Sequence, residues 1–308
     1  MRRIAKDEYL RYFPISQRDQ QWDLYVTGVG RIVHARPGTP DRAHPAPYYY
    51  VWESGRVLGE FGVLYITQGE GEFESQATGR QSVGAGMVVL LFPGVWHRYR
   101  PREQTYWTYY WAHFGGGYPE RLVGRKFISP QRPILKTGLD ETLLRSYVAL
   151  LERARSEPPG FQQLMAGNIV EILGAALAAA RGQGTPKRLN ALARKATLIL
   201  QQRTESEVDT RQMKRLAASL GLSYDRFRHV FKEHTGLGPH QYHLQLRIRR
   251  AKELLCGTDL SIKEVSAVLK FEDPYYFSKA FKKKTGTSPS QWRKAAQLPD
   301  GPPPADDA

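Results

Sequence analysis

Residues 227–241 read FRHVFKEHTGLGPHQ, and residues 277–291 read FSKAFKKKTGTSPSQ. Fifty residues apart, the two segments share a pair of phenylalanines, a lysine, a Thr-Gly pair, a proline and a glutamine. Upstream the match continues at a spacing of forty-nine residues, with Leu216 matching Val265 and Leu220 matching Leu269. This internal repeat predicts two copies of one supersecondary unit, with one residue inserted in the turn of the second copy, where insertions cost least.

Each copy carries the local signals of a helix, a turn and a second helix. In the second copy, Ser261-x-x-Glu264 predicts a capping box, and Asp273-Pro274 predicts an N-cap followed by an N1 proline. In the first copy, Asp209-x-x-Gln212 predicts the same cap, and Gly221-Leu222-Ser223 predicts the turn and the start of the second helix. The spacing is typical of two helix-turn-helix motifs.

The second helix of each copy has an apolar face and an outward face. Two phenylalanines four residues apart, Phe227 with Phe231 and Phe277 with Phe281, predict the buried face. Side chains on the opposite face are then available to DNA. The predicted DNA-binding residues are Asp225, Arg228, His229 and Lys232 in the first copy and Pro274, Tyr275, Tyr276, Ser278, Lys279 and Lys282 in the second.

A single helix is expected between the copies, because Leu244, Ile248, Ala251 and Leu255 recur at helical spacing. At about sixteen residues such a helix is roughly 24 Å long. It would hold the two second helices about one DNA turn apart, so that one chain reads two successive major grooves. The alternative for the whole repeat region is a helical interaction domain with a solvated, charged face.

The positive charge of the chain is concentrated in the same segment. Residues 187–296 hold 23 Lys and Arg against 10 Asp and Glu, whereas residues 1–186 hold 22 against 17, and the whole chain has a net charge of +15. A basic unit attached to a nearly balanced one is typical of a polyanion-binding module. Charge alone does not separate DNA from RNA or an anionic membrane, and the repeated turn chemistry favours duplex DNA.

Three motifs of the last third closely resemble the AraC/XylS family of transcription regulators. They are Leu216-Ala217-x-x-Leu220-Gly221-Leu222-Ser223, Arg247-Ile248-x-x-Ala251-x-x-Leu254-Leu255 and Tyr276-Phe277-Ser278-Lys279-x-Phe281-Lys282. The resemblance implies a sequence-specific regulator that binds double-stranded promoter DNA, is not an enzyme and needs no cofactor. One departure is Lys270, because the family usually has a glycine before the aromatic residue at Phe271.

Extended segments dominate residues 55–114. Residues 60–67, 69–74 and 87–92 are rich in aromatic and β-branched side chains and are separated by Gly and Pro, which predicts a β-sandwich or barrel. From Leu139 the apolar residues return to helical spacing in two stretches, so two helices are expected after the strands. The predicted fold class is α+β: a barrel with two following helices, and then an all-α domain with two helix-turn-helix motifs.

Residues 93–101, PGVWHRYRP, and 107–114, WTYYWAHF, resemble the sugar-sensing branch of the same family, whose amino-terminal domain is a cupin-like β-barrel. By position, the resemblance implies that a small effector, in this branch a monosaccharide, contacts Arg56, Tyr99, Tyr109 and Trp111, and His97 is a further candidate ligand-binding residue. Aromatic rings suit the apolar faces of a pyranose, and Arg, Tyr and His suit its hydroxyls. Alternatively, each of these aromatic side chains is part of the barrel core and contacts no ligand. Tyr109 and Trp111 share one face of a strand, and Tyr110 points the other way.

Two other functions were weighed against a ligand-responsive regulator. A cupin-type sugar-modifying metalloenzyme needs a His-x-His pair on one strand, but residues 55–96 contain no histidine, and His44 and His113 lie on other segments. A DNA binder that ignores ligands has no use for a nearly neutral domain of this length. We therefore expect no metal and no catalytic residue.

The expected domains are residues 1–180 for ligand sensing and dimerisation, 181–187 as a linker, 188–297 for DNA binding and 298–308 as a disordered tail. Residues 2–22 are expected to form an arm free to fold over the ligand pocket. The helices after the barrel either pack against it or form a homodimer interface. Cys256, the single cysteine, is expected to be buried. No signal peptide or membrane span is evident, which predicts a cytoplasmic protein, with RNA polymerase as a further candidate partner.

Overall fold

The computed structural model describes residues 8–35, 52–102, 107–182, 187–206 and 208–296. The chain divides into two compact units, Met1–Gly184 and Thr185–Ala308. Antiparallel strands and flanking helices build the first unit, and helices build the second. The α+β class predicted from the sequence is confirmed.

The first unit contains nine strands and four helices within the described residues. In chain order these are β1 (Tyr9–Tyr12), α1 (Gln17–Gln21), β2 (Tyr25–Ala35), β3 (Phe61–Gln68), β4 (Glu70–Ser75), β5 (Gly79–Gly84), β6 (Met87–Leu91), β7 (His97–Pro101), β8 (Trp107–Gly115), α2 (Gly117–Gly124), β9 (Ile134–Lys136), α3 (Glu141–Ser156) and α4 (Phe161–Gly182). Six strands form one sheet in the order β1-β2-β8-β3-β6-β9, and three form a second sheet in the order β5-β4-β7.

Two apolar cores lie on the two faces of the six-stranded sheet. On one face, Tyr65 of β3 and Tyr110 of β8 contact Tyr147 of α3, with ring centroids 6.1 and 5.6 Å apart. On the other face, Trp111 of β8 belongs to the same buried cluster as Phe73 of β4, which comes from the three-stranded sheet. The inner face of the larger sheet is thus covered by the smaller sheet, and its outer face by α3 and α4.

The segment before β2 is part of the sheet and is not a free arm. β1 pairs with β2 in antiparallel register, from Tyr9 opposite Arg31 to Tyr12 opposite Gly28. Phe13 is buried. The helix that follows, α1, starts with a capping box between the N-cap Ser16 and Asp19, the third residue of the helix. The prediction of a free arm is therefore wrong for residues 8–22, because backbone pairing with β2 fixes them. Residues 1–7 lie outside the described part of the chain.

Two helices follow the strands, as predicted. Leu139, which the sequence pattern placed on the first helix, precedes the N-cap Asp140 and is exposed. In α4, Gln162 bonds both backbone groups of Val26 with its side-chain amide and so fastens the helix to β2. Within the described residues, α4 is the one helix long and apolar enough to cross a membrane by length and composition. Its Met165 side chain is buried in the core of this unit.

The second unit contains seven helices within the described residues. They are α5 (Lys187–Gln202), α6 (Thr210–Ser219), α7 (Tyr224–Thr235), α8 (Pro239–Gly257), α9 (Ile262–Val268), α10 (Pro274–Thr285) and α11 (Pro289–Ala296). The predicted caps are confirmed: the starts of α6 and α9 carry capping boxes, Ser223 caps α7 and Asp273 caps α10. α4 extends to Gly182 and α5 begins at Lys187. Residues 183–186 of the expected linker, residue 297 and the whole expected tail, residues 298–308, lie outside the described part.

The helix between the two copies is longer than predicted. α8 has 19 residues because Pro239 occupies its first turn directly after Gly238. Ala251, Leu254 and Leu255 are buried as expected, but Cys256 is free and exposed. The prediction of a buried Cys256 is wrong, because this residue lies one step of about 100° beyond the buried stripe of the helix.

A buried arginine joins α8 to the second copy. Arg247 is 7% exposed, and its Nε and Nη2 atoms donate to the carbonyl oxygen of Leu269, the C-cap of α9, at 3.2 and 2.7 Å. Its guanidinium also lies 3.7 Å from the ring centroid of Phe271. A helix C-terminus attracts positive charge, and the planar guanidinium satisfies a carbonyl that the helix itself leaves open.

In the turn of the second copy, a lysine and not a glycine has the left-handed backbone conformation. In the first copy, Gly221 has φ +69°, and the Leu222 amide donates to the carbonyl of Ala217 at 3.0 Å. In the second, Lys270 has φ +55°, and the Phe271 amide donates to the carbonyl of Ser266 at 3.0 Å. The two turns are therefore equivalent, and the lysine adopts the backbone conformation that glycine adopts without steric strain.

We predict that Lys270→Gly stabilises the second unit by up to about 1 kcal/mol, because it removes the steric cost of a left-handed non-glycine residue. Urea unfolding followed by helical circular dichroism measures the effect. Lys214→Gly, an exposed position within α6, is the matched control and should destabilise the unit by about 1 kcal/mol. Destabilisation by Lys270→Gly would show that the turn does not carry this strain.

Candidate functional sites

The outward face of α7 carries the four predicted DNA-binding residues of the first copy. Asp225, Arg228, His229 and Lys232 are all exposed, while Phe227 and Phe231 are buried behind them. Arg228 lies 3.9 Å from the carboxylate of Asp225, and His229 lies 3.1 Å from that of Glu233. These exposed contacts are weak in water, so the side chains of Arg228 and His229 remain available to a polyanion.

The outward face of α10 differs from that of α7. Tyr275 and Tyr276 are 78% and 50% exposed at the start of the helix, and Lys279 and Lys282 are exposed further along it. Pro274 occupies the first turn, as predicted. Ser278 is only half-exposed, and its hydroxyl donates to the carbonyl of Pro274 at 2.8 Å. The start of α10 is therefore aromatic, and its end is basic.

Two further lysines extend the basic end of α10. Lys283 and Lys284 are exposed in the last turn of the helix and were not among the predicted residues. The run of three lysines is visible in the sequence. However, lysines also stabilise a helix C-terminus through the helix dipole, so the run alone does not identify a nucleic-acid contact.

Four of the five predicted ligand-binding residues meet between the two sheets. The Arg56 Nη2 atom donates to the hydroxyl of Tyr99 at 2.8 Å, and the Arg56 Nε atom lies 3.4 Å from Nε2 of His97. The ring of Tyr99 meets that of Tyr109 edge to face, with centroids 6.3 Å apart. An antiparallel bridge between Arg56 and His97 holds the backbone of the cluster together.

The histidine of this cluster is an uncharged hydrogen-bonding group. Nδ1 of His97 lies 3.0 Å from the carbonyl oxygen of Val95, which accepts a hydrogen bond from it, so Nε2 is left to accept from Arg56. Burial, and then the charge of Arg56, lower the pKa of His97 to about 4. The ring is therefore neutral at neutral pH.

Trp111 lies on the same face of β8 as Tyr109, and both rings are buried. A Cβ atom at Gly30 of β2 would lie 2.5 Å from the Trp111 Nε1 atom, so the indole lies directly against the backbone of the neighbouring strand. Tyr110 belongs to the opposite core, with α3. The predicted alternation of these three residues is confirmed.

An open cavity of about 450 Å³ lies beside this cluster, but none of the five predicted residues lines it. Its lining includes Glu60, which sits 3.2 Å from Nδ1 of the buried His113. Glu60 is not among the residues that the sequence predicts for ligand binding. An acidic residue at the start of a strand usually faces water, and only the pairing of β3 with β8 brings it to a histidine 53 positions later.

Within the described residues, no three His, Cys, Asp or Glu side chains are grouped as metal ligands. His44, weighed earlier as a metal ligand, lies outside those residues.

Comparison with known proteins assigns both units. The family of AraC-like ligand binding domains matches residues 45–198, and a helix-turn-helix domain family matches residues 216–295. The MmsAB operon regulatory protein of Pseudomonas aeruginosa is 30% identical over 305 residues, covering 96% of this chain and 89% of that protein. The arabinose operon regulatory protein of Escherichia coli is 28% identical over 291 residues, covering 91% and 96% of the two chains.

The lactose operon transcription activator of Staphylococcus xylosus is 27% identical over 240 residues, covering 75% of this chain and 83% of that protein. All three relatives regulate transcription by name, and two of them regulate sugar operons. The protein is thus a DNA-binding regulator with a small-molecule effector and not an enzyme. With matches that span both units and nearly the whole chain, it belongs to the AraC family of transcription regulators.

Proposed function

We propose that this regulator responds to a monosaccharide, which binds between the two sheets of the first unit and changes how the second unit occupies promoter DNA. The observation that carries this proposal is the hydrogen bond from Arg56 to Tyr99, whose ring meets Tyr109 on the aromatic inner face of β8. The sugar-operon relatives support it. We place the protein in the cytoplasm, where its promoter DNA is.

The chemistry of the proposed site matches that of a sugar ring. Tyr109 and Trp111 offer flat apolar faces to the C–H groups of a pyranose, and Arg56 offers several N–H donors to its hydroxyls. The hydroxyl of Tyr99 both donates and accepts, and Nε2 of His97 accepts. Because Arg56 and Tyr99 already bond to each other, the sugar replaces an internal hydrogen bond rather than entering an unsatisfied site. Affinity then depends on the net gain, of order 1 kcal/mol per hydrogen bond.

We propose that the two DNA-reading helices have different tasks. Arg228 and His229 on α7 carry donors that suit guanine edges in the major groove. Tyr275, Tyr276 and Lys279 on α10 suit phosphate and apolar contacts, and Lys282 suits phosphate. Asp225, Lys232, Pro274 and Ser278 complete the proposed DNA-facing set. The net positive charge of residues 187–296 then supplies the affinity that all sequences share.

Arg228→Ala should cost roughly 1–3 kcal/mol of binding to the promoter and relax the preference at one or two base pairs. Lys282→Ala should weaken binding to promoter and to random DNA about equally. It should also reduce the slope of log K against log salt concentration by about one. Affinities for promoter and single-base variants, measured at several salt concentrations, test both. Lys136→Ala, at an exposed position of β9, is the control and should change neither. A uniform loss for Arg228→Ala would contradict the assigned roles.

We further propose that residues 1–180 sense the effector and dimerise, and that residues 188–297 bind DNA, joined through the short segment before α5. Leu144 and Val148 lie one helical turn apart on α3, and both are at least 36% exposed although α3 also packs against the sheet. An apolar stripe on a helix that is already anchored suits a homodimer contact. RNA polymerase is the partner that an activator at a promoter would contact.

The sugar response is tested with the full chain. Calorimetry with a set of pentoses and hexoses should identify a monosaccharide that binds and also changes the affinity for promoter DNA. Tyr99→Phe should weaken that sugar about tenfold, because it removes the hydroxyl that bonds Arg56 and the ligand. Tyr110→Phe is the matched control: its ring faces the opposite core, so binding should persist. If no monosaccharide binds the wild-type chain, the proposed function is wrong.

A further inference from the structure

A cavity of about 450 Å³ opens at one end of the inner face of the six-stranded sheet. The first residues of β2, the segment just before β3, the end of β8 and the start of α2 contribute its walls. Its volume lies within the range of pockets that hold small organic ligands, roughly 300–1,000 Å³. The fold therefore contains an open space of ligand size that the residues proposed above do not use.

This cavity continues the row of side chains that forms the aromatic cluster. Along β8, Tyr109, Trp111 and His113 alternate onto the inner face, and Gly115 follows them into the cavity wall. The ring centroids of Trp111 and His113 are 4.8 Å apart. A Cβ atom at Gly62, on the neighbouring strand, would meet the His113 ring at 3.2 Å, which places that ring on the same face. The cavity and the cluster are two parts of one inner surface.

A buried carboxylate forms the polar centre of the cavity. The side chain of Glu60 is 14% exposed, and it lines the cavity together with Thr27. The hydroxyl of Thr27 donates to one carboxylate oxygen, and Nδ1 of His113, itself 2% exposed, lies 3.2 Å from the other. The hydrogen bond from Thr27 orients the carboxylate, and the His113 ring packs beside it. A carboxylate oxygen can accept more than one hydrogen bond, so the bond from Thr27 does not exclude a donor from a ligand.

The lining also selects the charge of a ligand. Two carboxylates, Glu60 and Glu120, face this space, and no lysine or arginine is among the described residues that line it. The wall is thus acidic on a chain whose net charge is +15. Anionic ligands are repelled, whereas hydroxyl or ammonium groups can donate to Glu60.

Glycine keeps the cavity open. A Cβ atom at Gly59 would meet no heavy atom within 4 Å, so this position borders empty space. At Gly115, a Cβ atom would lie 2.7 Å from the hydroxyl of Tyr25, and a side chain there would close the wall. A side chain at position 59 is therefore able to fill the cavity without displacing a neighbour.

We propose that this cavity is a binding subsite of the effector, in which the Glu60 carboxylate accepts hydrogen bonds from a hydroxyl or ammonium group of the ligand. Thr27 and His113 position that carboxylate. The inference rests on the proposed function in one respect, that the ligand is the effector that controls DNA binding. It adds that the effector carries a hydrogen-bond donor and no negative charge at this end.

The test uses calorimetry on the full chain with matched probes: D-glucose and D-galactose, their 2-amino derivatives and their uronic acids, together with the common pentoses. Neutral or amino sugars should bind, and the matching uronic acid should bind at least about tenfold more weakly. Glu60→Gln keeps the size of the side chain and should weaken the bound sugar about tenfold, with a larger loss for an amino sugar. Glu171→Gln, at an exposed position of α4, removes the same charge elsewhere and should have no effect.

Gly59→Leu provides a second variant that does not touch the carboxylate. It should abolish binding while leaving the melting temperature of the chain unchanged, because its side chain enters open space. Sugar binding that is unchanged in both Glu60→Gln and Gly59→Leu would overturn the subsite and leave the proposed function standing. Binding of a 2-amino sugar that depends on Glu60, without binding of any neutral sugar, would support the subsite and restrict the effector to a cationic sugar. Tightest binding by a uronic acid, or binding by none of the neutral and amino probes, would overturn the subsite.

Discussion

The alternation of buried side chains along β8 organises the whole first unit. All nine residues of this strand are buried, and neighbouring residues enter different cores. Tyr109 and Trp111 face the smaller sheet and the ligand cluster, whereas Tyr110 packs against Tyr147 of α3. A strand that is covered on both faces cannot move one set of side chains without affecting the other, because protein interiors are close-packed. The proposed ligand site and the helices proposed for dimerisation therefore share a single element.

The second unit depends on polar side chains that close helix ends. Arg247 bonds the C-cap of α9, and the Arg293 Nε atom donates to the carbonyl of Leu255 near the end of α8 at 3.1 Å. In the first copy, His243 takes the position of Arg293 in the repeat, and its Nε2 atom lies 3.0 Å from the carbonyl of Arg203, just after α5. In each copy, a side chain from the helix after the copy thus bonds a carbonyl at the end of the helix before it: His243 of α8 at the end of α5, and Arg293 of α11 at the end of α8. Because α8 forms such bonds with both copies, the two motifs belong to a single helical unit with two basic faces.

Much of this architecture could be predicted because its causes are local. Helix caps such as Ser261 with Glu264 act within four residues, and the alternation of Tyr109, Tyr110 and Trp111 follows from strand geometry alone. The features that escaped prediction arise from pairing across the chain. Residues 8–22 become ordered through β2, and Glu60 meets His113 only through sheet register. Cys256 was misjudged because its neighbours are apolar while its own helical position faces water.

In the proposed function, effector binding to the first unit and DNA binding by the second are coupled. Such coupling is a free energy, so it must act equally in both directions. The direct measurement is calorimetric titration of the effector sugar into the full chain alone and into the chain saturated with promoter duplex. The account predicts that DNA changes the Kd of the sugar by about fivefold or more, and by the same factor as the sugar changes the Kd of DNA. Equal sugar affinities with and without DNA would contradict it.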